Sequence, residues 1–162
     1  MSRQRVLISD YSWPDVEIER EVLARAGAEL VVAPADDRET LRRLAASVDA
    51  IMTCWAPIPA EVIEAVENCR VVARLGIGLD NIDVAFCTRR GIPVTNVPDY
   101  CQLEVAEHTL ALLLALARNI GIFHQDARNG VYARDHGPPL RRLAGRTLGL
   151  VGLGGIGRTV AE

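Results

Sequence analysis

Short apolar runs alternate with amphipathic stretches along the first hundred residues. Residues 5–9 (RVLIS) read as a strand, closed by Asp10 and the Trp13-Pro14 turn. Over 15–26, Val16, Ile18, Val22, Leu23 and Ala26 recur at helical spacing, and Gly27 ends that helix. The alternation then repeats. It predicts a strand at 30–33, a helix at 37–46 with Leu41 and Leu44 on one face, and a strand at 50–54. A helix at 59–65 follows, with Pro59 in the first turn where a missing N–H costs nothing. Next come a strand at 71–75, a helix at 82–90 ended by Gly91, and a strand at 93–96. Successive rather than alternate positions of these strands are apolar, as in strands covered on both faces. The pattern predicts an α/β fold built on an open, doubly wound, five-stranded parallel sheet.

After the fifth strand the pattern changes. Residues 102–120 predict one long helix, with Leu103, Ala106, Leu110, Leu113, Leu114 and Ala117 on a broad apolar face. Residues 129–140 carry Gly130, Gly137 and Pro138-Pro139 and read as an irregular connection. An apolar strand at 147–152 then runs into Gly152-x-Gly154-x-x-Gly157, the phosphate-cradling turn of a dinucleotide-binding unit. In that motif Gly152 allows the tight turn, Gly154 the close approach to pyrophosphate, and Gly157 the packing of helix on strand; Gly155 and Ile156 present helix N-terminal amides. The expected organisation is a domain over 1–100, a bridging helix and linker over 101–145, and the start of a nucleotide-binding (Rossmann) domain over 146–162.

Composition narrows the function classes. Hydrophobic residues make up 49% of the 162 and aromatics only 4%, so aliphatic side chains must fill the core. The net charge of −3 gives no electrostatic reason to expect nucleic acid or an anionic membrane as partner. All 18 basic residues are arginine, scattered along the chain. Cys54, Cys69, Cys87 and Cys101 show no metal spacing, and residues 1–5 lead straight into a strand instead of an export signal, so a cytoplasmic location is expected. The strongly apolar stretch 110–117 is too short to span a bilayer.

Four segments stand in one order: Arg74-Leu-Gly-Ile-Gly-Leu-Asp-Asn-Ile-Asp83, then Gly91-Ile-Pro-Val-Thr-Asn-Val-Pro98, then Glu104-Val-Ala-Glu-His-Thr-Leu-Ala-Leu-Leu-Leu-Ala-Leu-Ala-Arg118, then the glycine turn. That order resembles the N-terminal half of the D-isomer-specific 2-hydroxyacid dehydrogenases, and within them the branch containing the C-terminal-binding-protein corepressors. The resemblance covers essentially the whole chain. It implies that the first hundred or so residues form a flavodoxin-like substrate domain, into which the nucleotide domain is inserted. The reaction it implies is hydride transfer between NAD and a 2-keto or 2-hydroxy acid, with the cofactor carrying the redox chemistry.

The same resemblance places the substrate acid group at the turn Gly76-Ile77-Gly78, beside the nicotinamide. Glycines at the end of a parallel strand let backbone N–H groups approach a carboxylate; the alternative is a tight turn that needs positive φ. Asp80 is expected to cap the next helix, with Asn81 competing. Arg74 matches a position near the substrate mouth, or is a surface arginine. Cys54 and Trp55 fall in a second pocket-lining loop, or Trp55 covers the sheet edge. His108 has a structural or interface role, and His124 and His136 have no spacing that suggests a metal site or a triad.

The resemblance puts the catalytic Arg, Glu (or Asp) and His later than residue 162, so no catalytic residue is assigned. The chain ends five residues after Gly157, short of the ribose-binding acid expected about 20 residues on. The expectation is an N-terminal portion without turnover and with weak or no NAD binding on its own. Excised domain and NAD-regulated corepressor remain alternatives. A homodimer exchanging the region after residue 100 is expected, since the apolar helix and an unpaired strand both need cover.

Overall fold

The computed structural model describes residues 3–162. Two compact units divide the chain, Met1–Tyr100 and Cys101–Glu162. The first unit contains β1 (Gln4–Ile8), α1 (Glu17–Arg25), β2 (Ala28–Val32), α2 (Arg38–Ala45), β3 (Ala50–Thr53), α3 (Ala60–Glu64), β4 (Val71–Arg74), α4 (Val84–Arg90) and β5 (Val94–Thr95). All neighbouring strands are parallel and the order is β2-β1-β3-β4-β5. This is the flavodoxin-like order, whose direction reverses between β1 and β3.

Period-two alternation on strands that are apolar on both faces builds two cores. Leu7, Ile51 and Val72 pack with Leu41 of α2, Val62 and Ile63 of α3, and Cys87 of α4. Val6, Ile8, Ala50 and Leu30 face the other way, with Leu23 of α1 packed against them. Local signals set the helix ends. The Asp37 carboxylate accepts from the Thr40 amide at 3.0 Å to start α2, and Gly91 closes α4 in the left-handed region at φ 66°.

The cap of α4 differs from expectation. Neither Asp80 nor Asn81 fills it; Asp83 does, accepting from the Phe86 amide at 2.8 Å. The cause lies across the sheet. Ile58 and Ile82 form a parallel bridge, with Ile58 N–H on the Asn81 carbonyl and Asp83 N–H on the Ile58 carbonyl, so the chain joins a ladder through 81–83 before the helix can begin.

The second unit holds α5 (Gln102–Ala117), α6 (Ile120–Arg128) and α7 (Gly155–Ala161). The helix expected over 102–120 breaks at Asn119, which sits in the left-handed region at φ 53°; α6 leaves at a 65° bend. Asn tolerates that conformation, and its buried side-chain amide donates to the Pro138 carbonyl at 2.7 Å, so one residue both turns the chain and ties down the connector. No single helix among the described residues is long and apolar enough to cross a membrane. The strand expected at 147–152 is also not formed. A strand is stabilised by a partner's backbone, and no strand of this unit is present among the described residues to supply one.

Candidate functional site

In an open α/β sheet, ligands bind beyond the carboxyl ends of the strands where the order reverses. Here that place is formed by the residues following β1, β3 and β4. Six of the sequence-derived candidates collect there: Cys54 and Trp55 after β3, Arg74 at the end of β4, and Gly76, Ile77 and Gly78 in the turn that follows.

Arg74 is the informative member. It is only 8% exposed, and its Nε and Nη1 are buried without a hydrogen-bond partner. The reading of Arg74 as a surface arginine is therefore excluded. The Trp55 ring covers the guanidinium, with Arg74 Cζ 5.2 Å from the ring centroid, and Trp55 itself is 69% exposed. An arginine side chain does not lose its proton in proteins, and an unpaired buried charge is costly.

The glycines explain how that charge is housed. Neither Gly76 nor Gly78 has positive φ, so the tight-turn alternative does not account for them. A Cβ on Gly76 would lie 2.7 Å from Arg74 Nη1; the missing side chain is the room the guanidinium occupies. A Cβ on Gly78 would meet the Asp80 carboxylate at 2.7 Å. The Gly76 and Ile77 carbonyls are engaged, by the Val97 amide and the Asn96 side chain, both at 2.9 Å. Among the described residues the amides of Gly76, Ile77 and Gly78 donate to nothing. A fixed cation beside a run of unused amides can receive a carboxylate, which prefers planar, bidentate guanidinium contacts.

Cys54 has a different part from the pocket lining expected of it. Its thiol is buried, 3.8 Å from the Ser12 hydroxyl, and its amide donates to Asp10 Oδ1 at 2.9 Å. Asp10, absent from the sequence-derived site, is the hub of this edge. It also accepts from the Trp55 amide at 2.6 Å and the Ser9 hydroxyl at 2.8 Å. Burial pushes its carboxyl up, but the hydrogen bonds from Trp55, Ser9 and Cys54 outweigh this and hold it below its ordinary value. The only sequence signal was an acid ending a strand. Asn81, considered above as a cap, donates to the Ala56 carbonyl at 3.0 Å and fixes the same loop.

The glycine turn lies in the second unit. Gly152 has φ 92°, Gly154 precedes the first turn of α7, and Gly155, Ile156 and Gly157 begin that helix. A Cβ on Gly157 would collide with the Gly152 carbonyl, and one on Gly155 with the Gln102 side chain, so both glycines are sterically required. With Leu150 and with Thr109 of α5 they line a cleft of about 400 Å³. The arrangement fits a dinucleotide's pyrophosphate, which needs close backbone approach and helix amides. In the same unit His136 Nδ1 lies 2.8 Å from Asp126 Oδ2; a separation of ten residues carries no local signal. That carboxylate's hydrogen bond and charge raise the His136 pKa above its ordinary 6.5.

The same fold recurs in known proteins. The chain is 35% identical over 159 residues to D-3-phosphoglycerate dehydrogenase of Archaeoglobus fulgidus, covering 98% of this chain and 29% of that one. Among solved structures it matches D-lactate dehydrogenase of Aquifex aeolicus, complexed with NAD and lactic acid, at 25% identity and TM-score 0.83, covering 98% of this chain and 47% of that one. It also matches an NADPH-dependent glyoxylate/hydroxypyruvate reductase of Sinorhizobium meliloti, in complex with NADP and malonate. There the identity is 34% and the TM-score 0.77, covering 99% of this chain and 49% of that one. The chain thus spans half or less of the length of these proteins, and none of the three is named as a corepressor. Residues 6–159 match the family described as D-isomer specific 2-hydroxyacid dehydrogenase, catalytic domain, and the chain belongs to that family.

Proposed function

We propose that these 162 residues are the substrate-acid-binding domain and cofactor phosphate turn of an NAD(P)-dependent D-2-hydroxyacid dehydrogenase, acting on a small 2-keto or 2-hydroxy acid. The observation that carries the reading is the buried, unpartnered Arg74 guanidinium beside the unused amides of Gly76, Ile77 and Gly78. The substrate carboxylate pairs with the guanidinium charge and the turn amides, and this fixes the orientation of the carbon to be reduced. Trp55 covers the guanidinium and excludes water from one face of the pair, which strengthens it. A nicotinamide cofactor supplies the hydride when bound. Gly152, Gly154, Gly155, Ile156 and Gly157 hold its pyrophosphate.

Catalysis is not proposed for these residues alone. Of the three histidines, all in the second unit, His136 is engaged by Asp126, and His108 and His124 have no acid–base partner among the described residues. The dehydrogenase and reductase names of the relatives support an oxidoreductase rather than the corepressor branch. The chain should therefore bind pyruvate, a 2-keto acid probe, and bind NAD weakly, yet fail to oxidise NADH with pyruvate present. Calorimetry showing no pyruvate binding refutes the site; steady NADH oxidation refutes the division of labour. A homodimer exchanging the region after residue 100 belongs to the same reading, because Leu103, Leu112, Leu114 and Leu116 of α5 are exposed. Sedimentation as a monomer at micromolar concentration overturns it.

A further inference from the structure

The loop after β3 has two amides aimed at the sheet edge, and neither is available to a ligand. Cys54 N–H goes to one oxygen of Asp10 and Trp55 N–H to the other, at 2.9 and 2.6 Å. Ser12, two residues beyond Asp10, accepts the Trp55 indole N–H at 3.0 Å. The Thr53 hydroxyl donates to the Ala56 carbonyl at 2.8 Å and lies 3.3 Å from Asp10 Oδ1, closing the ring of contacts around the loop. An exposed indole on a loop would otherwise sample several rotamers. Here its backbone and its ring nitrogen are both held by the three-residue segment that leaves β1, and its face is set over Arg74.

We propose that Asp10 and Ser12 are positioning residues for the anion site: Asp10 pins the amides of Cys54 and Trp55, Ser12 holds the indole N–H, and the indole so aimed covers the Arg74 guanidinium. The inference rests on the reading of Arg74 as the receiver of the substrate acid. It also explains the residue type. Two N–H groups converge on two oxygens, and a carboxylate satisfies both. An asparagine would offer one oxygen and place its NH₂ against the remaining N–H, so the loop would have to shift. Ser12 has only to supply one acceptor to the indole and is exposed, so it can be altered without disturbing the core.

The test uses the full chain in a Trp13→Phe background, which leaves Trp55 as the sole indole. Trp55 emission reports pyruvate binding, and its anisotropy reports the freedom of the ring. Asp10→Asn should weaken pyruvate binding by about tenfold, the loss of one hydrogen bond to a charged group, and lower the anisotropy. Ser12→Ala should lower the anisotropy and weaken binding about threefold with the urea midpoint unchanged, a combination that a purely structural role does not produce. If circular dichroism shows Asp10→Asn unfolded, Ser12→Ala decides alone. Binding and anisotropy unchanged in a folded variant overturn the positioning role while leaving the anion site standing. Absence of pyruvate binding in the Trp13→Phe chain itself overturns the anion site, and the positioning role falls with it.

Discussion

Replacing Arg74 by methionine separates what the guanidinium does for a ligand from what it costs the fold. Two of its nitrogens are buried with no acceptor. A buried donor left unpaired costs about 1–3 kcal/mol, so the two together cost about 2–6 kcal/mol. Stacking under Trp55 offsets about 0.5–2 kcal/mol of this. Methionine is unbranched and adaptable, and keeps most of the packing beneath the indole. The expected balance is a gain of about 0 to 5.5 kcal/mol, centred at about 3 kcal/mol, in the stability of the first unit. Both tryptophans, Trp13 and Trp55, lie in that unit, so their emission during urea unfolding reads it alone. The midpoint should rise with the slope unchanged. Pyruvate should raise the midpoint of the unsubstituted chain by mass action and leave that of Arg74→Met where it was. A loss of about 1 kcal/mol or more in Arg74→Met would show the guanidinium to be structural, and the argument for a charge kept for a ligand would fail.

Gly76→Ala places a methyl 2.7 Å from Arg74 Nη1 without any penalty from positive φ; calorimetry should show pyruvate affinity falling about tenfold, as one charged contact is lost, with the urea midpoint nearly unmoved. The His136–Asp126 contact should be pH-dependent. Because the folded His136 pKa is raised above 6.5, the pair contributes fully below about that pH and is lost as pH rises through the folded value. Titration by nuclear magnetic resonance should show the raised value, and Asp126→Asn should return it toward 6.5; an unshifted His136 in the unsubstituted chain contradicts the contact.

The sheet was legible because β1, β3 and β4 carry successive apolar positions, the pattern expected of strands covered on both faces. The bounds held to within a residue or two wherever a local signal existed, as at Gly27 and Gly91. What local spacing missed was decided by distant backbone. The α4 cap moved from Asp80 or Asn81 to Asp83 because Ile58 forms a bridge with Ile82. The long helix broke because Asn119 can adopt the left-handed conformation and find the Pro138 carbonyl, which its neighbours in sequence do not reveal. The apolar run at 147–152 satisfies a strand's pattern without a strand's partner. At the site, the glycine turn was visible but its reason was not: Gly76 makes room for a side chain two residues earlier. Asp10 stayed hidden because its amide donors lie 44 and 45 residues away.

The Ile58–Ile82 bridge has a consequence for how the proposed site is held before a ligand arrives. Together with the hydrogen bond from the Asn81 side-chain amide to the Ala56 carbonyl, it staples the wall carrying Trp55 to the segment that follows the Gly76–Gly78 turn. Walls joined in that way are tied by backbone hydrogen bonds before any guest arrives. That matters most for a very small guest. A keto acid of half a dozen atoms can draw at best about 1.5 kcal/mol from each atom, and ordering two loose loops would consume most of it. A preset edge leaves that energy for the affinity of the small acid proposed above.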